Sequence, residues 1–184
     1  EKKCTAAAVY TTNLVQSSPI TVTRQHLANG IAQAVIVNSG NANTCNADGV
    51  LKAEKMCTLT ADKLGISADD IIVGSTGVIG QILPIEPIEN GIDELVSQLS
   101  VDGASNAAEA IMTTDTVKKE VAVETIIGGK TVKIGGISKG SGMIHPNMAT
   151  MLCFITTDAA ISAEMIQKAV KTAADKTFNM VSID

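Results

Sequence analysis

Residues 139–152 read KGSGMIHPNMATML, a glycine-rich loop that leads directly into an apolar, strand-like run. The threonine at this junction, Thr150, carries a hydroxyl that could act as a nucleophile. The chain has only two histidines, so a Ser-His-Asp arrangement is difficult to assemble and another base is needed. An N-terminal threonine supplies its own base, because an α-amino group has a pKa of roughly 7.7–8.0 and can accept the hydroxyl proton.

Thr150 gains a free amino group only if the bond after Ala149 is cut. Its hydroxyl could attack the Ala149 carbonyl and shift the chain from nitrogen to oxygen, after which water would hydrolyse the ester. The peptide bond after Ala149 must be held in place, with hydrogen-bond donors around its carbonyl oxygen. A flexible glycine run whose approach is restricted by Pro146 could hold it in this way. The alternative interpretation is an ordinary strand start, in which Thr150 only favours β geometry.

Two further glycine-bearing loops, NSGNAN (38–43) and GSTGVIG (74–80), each follow an apolar run. A strand that ends in Ser-Thr-Gly exposes a hydroxyl and a backbone N–H, and glycine lets a substrate approach that N–H closely. Two such donors can stabilise a developing oxyanion. The GxxGxxG spacing matches neither the dinucleotide-binding motif nor the P-loop, and SKGSGM (138–143) lacks GK[ST], so phosphate binding has little support. A plain turn remains an alternative.

The composition restricts the kind of protein this can be. Hydrophobic residues make up 45% of the 184, enough for a core, whereas aromatic residues make up only 2%, which argues against the stacking surfaces that bind single-stranded nucleic acid. The net charge is −5 without a basic cluster, so we expect neither nucleic acid nor a membrane as a partner. Four separated cysteines without a CxxC pair predict free thiols, no metal site and a cytoplasmic protein.

Periodicity predicts the elements that must position these loops. Apolar runs predict strands at 4–12, 31–37, 71–73, 119–127, 130–137 and 151–159, with a Gly-Gly turn between the fourth and fifth. Helical spacing predicts helices at 49–64, after Pro84 and Pro87, at 104–112 and after Ser162. The absence of a regular strand–helix alternation favours sheets and helices in separate layers over a doubly wound fold.

Five segments together resemble a known family. They resemble, in the same order and at the same spacing, segments of the ornithine acetyltransferases. These are also described as bifunctional glutamate N-acetyltransferase and amino-acid acetyltransferase proteins of arginine biosynthesis. These segments are NSGNAN (38–43), GSTGVIG (74–80), IMTTDT (111–116), KGSGM (139–143) and ATML (149–152). The resemblance covers essentially the whole chain. It implies an α/β fold with α+β type layering, an αββα-like sandwich of the kind found in this family and in self-processing aminopeptidases.

The resemblance implies catalytic roles for four residues. Cleavage would fall between Ala149 and Thr150. Thr150 would then be the nucleophile that carries the acetyl group and would contact the substrate. Thr76 and Gly77 would form the oxyanion hole.

The resemblance also implies substrate contacts. Lys139 would bind the substrate through its carboxylate, because a lysine ammonium is a good point-charge partner for an anion. Thr113 would also touch the substrate, with its neighbour Thr114 as the alternative. His145 receives no role from the resemblance, and we interpret it as a loop residue.

The implied reaction transfers an acetyl group from N-acetylornithine to glutamate in two half-reactions. Acetyl-CoA serves some members as a further substrate, and no cofactor or metal is implied. Residues 1–184 would be a single, incomplete catalytic domain, with 1–149 as the α-chain part and 150–184 as the start of the β chain. The assembly would be a heterotetramer of two α and two β chains, and we do not expect this piece to be active alone.

Two alternatives from other classes remain. One is a related N-terminal-nucleophile aminopeptidase or amidohydrolase, in which the acyl group ends on water. The other is a non-enzymatic domain in which the glycine loops are only turns.

Overall fold

The computed structural model describes residues 2–140 and 151–181, and within them the chain forms five α-helices and seven β-strands. The strands are β1 (Cys4–Thr5), β2 (Ile31–Ala32), β3 (Ala34–Asn41), β4 (Ile71–Val78), β5 (Lys119–Ile127), β6 (Lys130–Lys139) and β7 (Leu152–Thr157). The helices are α1 (Ser18–His26), α2 (Gly49–Leu64), α3 (Glu86–Ser97), α4 (Ala104–Ala110) and α5 (Ala163–Lys176).

Strands β3 and β4 form a parallel pair, joined by α2 as the crossover that parallel strands require. The pairing runs in register from Ala34 opposite Ile71 to Asn41 opposite Val78. The sequence showed no regular strand–helix alternation, and this is a single strand–helix–strand unit. Helices α1 and α2 both pack against β4, so one helical layer covers this small sheet.

Helix α2 has the predicted bounds, and its buried face explains why it forms. Ala53, Met56, Cys57 and Ala61 recur three or four residues apart and are all buried. Each large side chain among them contributes roughly 1.5–3 kcal/mol when fully removed from water. The helix ends where Gly65 takes a left-handed conformation (φ +67°) and donates its N–H to the Ala61 carbonyl.

Strands β5, β6 and β7 form a second, antiparallel sheet in the order β5-β6-β7. Gly128 (φ +58°) and Gly129 (φ +77°) make the turn between the first two strands, the positive-φ pair that a tight hairpin favours. The hairpin therefore has the predicted position, and β6 continues two residues beyond the predicted end, to Lys139.

The two sheets meet through β4 and β7. A Cβ placed on Gly74 would lie 3.6 Å from Phe154 Cζ and 3.7 Å from Val37 Cγ1, so the ring of Phe154 packs directly over a backbone that has no side chain. This contact places helices, the first sheet and the second sheet in successive layers. The predicted α+β layering is confirmed.

Three predicted strands need correction. The strand predicted at 31–37 divides into β2 and β3, and β3 continues to Asn41. The strand predicted at 4–12 is limited to Cys4–Thr5, because within the described residues its ladder partner is only the two-residue β2. The strand predicted at 71–73 continues to Val78, since the parallel partner supplies hydrogen bonds through the glycine-rich part. Helix α1 was not predicted. Its signal is Pro19 in the first turn after an extended Ser17.

The predicted inner faces of α3 and α5 are only partly covered by the residues described. Ile92 and Ala174 are buried, whereas Leu95 is 52% exposed and Leu99 66%. Ser162 caps α5 as predicted, its hydroxyl accepting from the Met165 N–H at 3.3 Å. Within residues 2–140 and 151–181, no helix is both long and apolar enough to cross a membrane.

Candidate active site

Thr76 and Gly77 lie near the end of β4, where both are paired with β3. Thr76 is opposite Ser39, and Gly77 is opposite Gly40. The two backbones approach so closely that a Cβ on Gly77 would lie 2.2 Å from the Gly40 carbonyl carbon. Gly77 also has φ +129°. This position therefore requires glycine, for space as well as for its backbone conformation.

The side chain of Thr76 lies on the face of β4 that is turned toward the second sheet. Side chains alternate along a strand, and Gly74, two residues earlier, faces Phe154 of β7. Ser75 has the opposite orientation, toward the helical layer, and its Oγ is buried without a hydrogen-bond partner among the described residues. Of these two neighbouring residues, Thr76 is the one whose side chain shares the face of β4 on which Gly74 meets Phe154 of β7. Thr76 is 7% exposed, so a group that meets it there is largely shielded from water.

Segment 111–116 is fixed to the end of β3. Ser39 Oγ donates a hydrogen bond of 2.6 Å to the carbonyl of Ala110, the last residue of α4. Ile111, the next residue, is buried, whereas Thr113 and Thr114 are both exposed. The predicted substrate-contact residues therefore follow an anchor that lies beside Thr76. Exposure does not separate Thr113 from Thr114.

Asp115 connects this segment to the end of β6. Its Oδ1 accepts from Gly140 N at 2.7 Å and from Lys119 Nζ at 2.6 Å, and its side chain is only 3% exposed. Burial acts to raise the pKa of Asp115, but the hydrogen bonds from Lys119 and from the Gly140 N–H outweigh it. The pKa is therefore held below its ordinary value, and the carboxylate is charged at neutral pH.

Lys139 is the last residue of β6 and lies opposite Leu152 at the start of β7. It is 4% exposed. Its Nζ donates to the Gly140 carbonyl at 2.6 Å, and none of the ion pairs between described residues includes it. Among the described residues its ammonium therefore has one neutral acceptor, an environment that favours an anion.

The remaining predicted residues lie outside the described residues. These are Ala149, Thr150 and the loop residue His145. The described residues continue from Met151, which follows Thr150 in the chain. Leu152, the residue after Met151, is paired with Lys139.

The other histidine, His26, is already engaged in the core. It is 7% exposed, and its Nδ1 lies 2.7 Å from the Ile71 carbonyl, at the opposite end of β4 from Thr76. The difficulty of building a histidine-based triad is thus borne out for His26.

A cleft of about 720 Å³ opens beside the end of β3. It is bounded by 38–41 on one side and by 81–84 and 86–88 on the other, with Lys52 between them. A second cavity of about 330 Å³ includes Arg24, Gly30 and Ala163. Neither the cleft nor this cavity is lined by a predicted site residue. Among the described residues, no group of three or more His, Cys, Asp or Glu side chains is placed to hold a metal ion.

Two residues of the site were not assigned from the sequence. Ser39 lies in NSGNAN and Asp115 in IMTTDT, so both were inside recognised segments. A carboxylate within a threonine-rich loop was the available signal for Asp115. The partners of both residues are far away in the chain, Ala110 for Ser39 and Gly140 for Asp115, and no local pattern predicts such pairs.

The model of the ArgJ family matches residues 1–184. The chain is 51% identical over 182 residues to the arginine biosynthesis bifunctional protein ArgJ of Symbiobacterium thermophilum, covering 98% of this chain and 45% of that protein. It is 52% identical over 186 residues to the protein of the same name from Listeria monocytogenes, covering 100% and 46%. The chain thus spans about half the length of the curated relatives it matches.

Two solved structures are similar to the fold. The arginine biosynthesis bifunctional protein ArgJ of Bacillus halodurans superposes with a TM-score of 0.73 at 46% identity, over 82% of this chain and 78% of that one. The ornithine acetyltransferase of Mycobacterium tuberculosis, solved in complex with ornithine, superposes with a TM-score of 0.65 at 32% identity, over 76% and 75%.

Proposed function

The chain belongs to the ArgJ family, and we propose that the full-length protein is a self-cleaving glutamate N-acetyltransferase of arginine biosynthesis. Thr150, freed by cleavage after Ala149, takes an acetyl group from N-acetylornithine and passes it to glutamate. Acetyl-CoA is a second acetyl donor in this proposal. Because the acetyl group travels on Thr150 itself, the reaction uses no cofactor.

The buried ammonium of Lys139 is the observation that carries this proposal. It lies at 4% exposure without an ion-pair partner among the described residues, directly opposite the second residue after Thr150. N-acetylornithine and glutamate each carry a carboxylate that an ammonium can bind. Held at Lys139, either molecule would present its reacting group close to the residue proposed as nucleophile. Thr113, held near Gly140 through Asp115, or its neighbour Thr114, is the second substrate contact.

The oxyanion hole is assigned to Thr76 and Gly77. The Thr76 side chain lies on the face of β4 turned toward the second sheet, and the backbone N–H of the neighbouring Gly77 would be the second donor. Two preformed donors of this kind stabilise the charge that develops on an attacked carbonyl oxygen. The same pair would act first on the Ala149 carbonyl during cleavage and then on the acetyl carbonyl during transfer.

The proposed transfer proceeds through an acetyl-enzyme. The amino group of Thr150 accepts the hydroxyl proton as Oγ bonds to the acetyl carbon. The C–N bond of N-acetylornithine breaks, and ornithine leaves with the proton. The amino group of glutamate then attacks the ester, a proton returns to Thr150 Oγ, and N-acetylglutamate departs. Both half-reactions use one nucleophile and one oxyanion hole.

The domain and assembly predictions remain part of this proposal. Residues 1–149 would form the α-chain part and residues 150–184 the start of the β chain, within one catalytic domain. Two chains of each kind would assemble as a heterotetramer in the cytoplasm. Contacts from the part of the protein beyond this chain would complete the substrate site.

The intact mass of the full-length protein under denaturing conditions tests the proposal. We expect two fragments that meet at Ala149–Thr150, and a gain of one acetyl group by the β fragment after mixing with N-acetylornithine. Thr150→Ala should leave one uncut chain that never gains acetyl, whereas Thr150→Ser keeps a hydroxyl and should still cleave. An uncut wild-type chain without acetylation would refute the proposal.

The same experiment separates the hydrolase alternative. A transferase releases N-acetylglutamate and needs glutamate for turnover. Release of free acetate at a rate independent of glutamate would identify an amidohydrolase instead.

A further inference from the structure

We propose that Asp115 is a positioning residue that holds the start of the cleavage segment against the substrate-binding segment. It would fix Gly140, and with it Lys139, relative to residues 111–116. This inference rests on the proposed function for its catalytic consequences, but its structural content concerns Asp115 and Gly140 alone.

The carboxylate of Asp115 is a meeting point of three donors. Gly140 N and Lys119 Nζ both donate to Oδ1, at 2.7 Å and 2.6 Å, and Thr113 N approaches Oδ2 at 3.5 Å. The carboxylate side chain is 3% exposed, against 46% for Lys119. The bond to Gly140 is therefore shielded from water, whereas the lysine is half in solvent.

The contact with Asp115 leaves little room for a side chain at Gly140. A Cβ on Gly140 would lie 3.0 Å from Asp115 Oδ1 and 3.4 Å from Lys119 Cε. That is closer than a carbon and a carboxylate oxygen normally approach, so a larger residue would require the carboxylate to shift by a few tenths of an ångström. The glycine of the Lys139–Gly140 pair thus has a specific packing reason, independent of loop flexibility.

The contact couples two predicted substrate residues. Asp115 fixes the N–H of Gly140, while Lys139 Nζ donates to the carbonyl of the same residue at 2.6 Å. Movement of Gly140 would consequently move the ammonium of Lys139. Gly140 also precedes the proposed cleavage bond in the segment KGSGMIHPNMAT, and in this proposal the carboxylate that holds it contributes to both substrate binding and cleavage.

The alternative is that Asp115 only pairs with Lys119. The Lys119 side chain is 46% exposed and has a second acceptor, the Val117 carbonyl at 2.9 Å, so the position of its ammonium does not depend on Asp115 alone. Removing Lys119 should therefore leave Gly140 in place. Removing the Asp115 oxygens should not.

Four variants of the full-length protein separate these possibilities. Asp115→Ala removes the acceptor, and Gly140→Ala displaces it while keeping the carboxylate. Lys119→Gln removes only the cation. Gly135→Ala is the matched glycine control on β6, the strand that Gly140 follows; among the described residues a Cβ there would meet only Thr156 Oγ1, at an ordinary 3.7 Å.

The measurements are the rate of self-cleavage by intact mass and the kcat and KM for N-acetylornithine. We expect Asp115→Ala and Gly140→Ala each to slow cleavage and raise KM by about tenfold or more, because small misplacements of reacting groups are costly. Lys119→Gln and Gly135→Ala should stay within about twofold of wild type. Wild-type cleavage and KM in both Asp115→Ala and Gly140→Ala would overturn the inference, and so would an equal defect in Lys119→Gln.

Hydrogen exchange at the Gly140 amide tests the positioning role of Asp115 without relying on cleavage or transfer rates. If wild type neither cleaves nor transfers, the proposed function fails, but the amide should still exchange at least about tenfold faster in Asp115→Ala than in wild type. If Asp115→Ala does not fold, the same comparison is made with Asp115→Asn, which keeps an uncharged and weaker acceptor. Equal exchange rates would overturn the positioning role.

Discussion

Ser39 and Thr76 lie side by side across the parallel β3–β4 pair, and Ser39 Oγ holds the Ala110 carbonyl at 2.6 Å. The proposed oxyanion donor therefore has a fixed relationship to the segment that starts at Ile111. The arrangement depends on the in-register pairing of Asn-Ser-Gly in β3 opposite Ser-Thr-Gly in β4.

Thr76→Ala should slow both self-cleavage and acetyl transfer by about 10²–10³-fold, the usual cost of one lost oxyanion donor. KM should change little, because the donor acts where charge develops in the transition state. Cleavage is followed by intact mass and transfer by the appearance of N-acetylglutamate.

Ser75→Ala is the matched control for Thr76→Ala. It removes the neighbouring hydroxyl, whose Oγ is buried without a partner among the described residues and directed toward the helical layer. We expect both rates within about twofold of wild type, since an unpaired buried hydroxyl contributes no favourable bond. Equal losses in the two variants, or unchanged rates in Thr76→Ala, would remove Thr76 from the oxyanion hole.

Gly77→Ala should destabilise the fold as well as the site. The new Cβ would lie 2.2 Å from the Gly40 carbonyl carbon and 2.4 Å from its oxygen, and alanine is strained at φ +129°. Steric overlap and backbone strain together predict a loss of roughly 2–4 kcal/mol in the free energy of unfolding. Denaturant unfolding of the full-length protein measures it.

Gly91→Ala, the same substitution at another glycine, should change the free energy of unfolding in the opposite direction. Gly91 lies within α3, and a Cβ there would meet nothing within 4 Å. Alanine should increase the free energy of unfolding by about 0.5–1 kcal/mol through its higher helix propensity. A Gly77→Ala protein as stable as wild type would contradict the close approach of β3 and β4.

Elements defined by local signals were predictable from the sequence. Helix α2 follows from four buried residues at helical spacing and a terminal glycine, and the β5–β6 hairpin from its Gly-Gly turn. Helix α1 was missed because its buried face combines Pro19 and Val22 with the polar Thr23 and His26, so the sequence shows no apolar helical period there. The true end of β4 was missed because pairing with β3 overrides the low strand propensity of glycine.

The site was predictable only as a set of segments. Recognised motifs identified Thr76, Gly77, Thr113 and Lys139, but nothing in their spacing showed that β4 continues through Thr76. The anchors made by Ser39 and Asp115 join residues that are distant in the chain, so they follow from tertiary packing rather than from any local pattern.

Cys57 should resist alkylation in the folded protein. It is fully buried, and burial, followed by the nearby charges of Glu54 and Asp69, raises its pKa to about 12. At pH 8 only about one molecule in ten thousand would carry the reactive thiolate. Mass spectrometry after iodoacetamide treatment should find Cys57 unlabelled while the exposed Cys45 reacts.

Unfolding provides the control for Cys57. In guanidinium the thiol returns to its ordinary pKa and should react at the same rate as Cys45. If Cys57 reacted as fast as Cys45 in the folded protein, α2 would not be packed against β4 as described.

Lys139→Met should raise KM for N-acetylornithine by about 10–100-fold with a smaller change in kcat, because a charge-assisted bond to the substrate carboxylate is lost while the apolar stem is kept. Stability should not fall, since removing a poorly compensated buried charge is often neutral or favourable. Lys133→Met is the matched control on the same strand, where the lysine side chain is 69% exposed and only 3.5 Å from Glu124 Oε1. That variant should keep KM within about twofold of wild type. An unchanged KM in Lys139→Met, measured beside this control, would mean that the buried ammonium serves a protein carboxylate beyond the described residues and not the substrate.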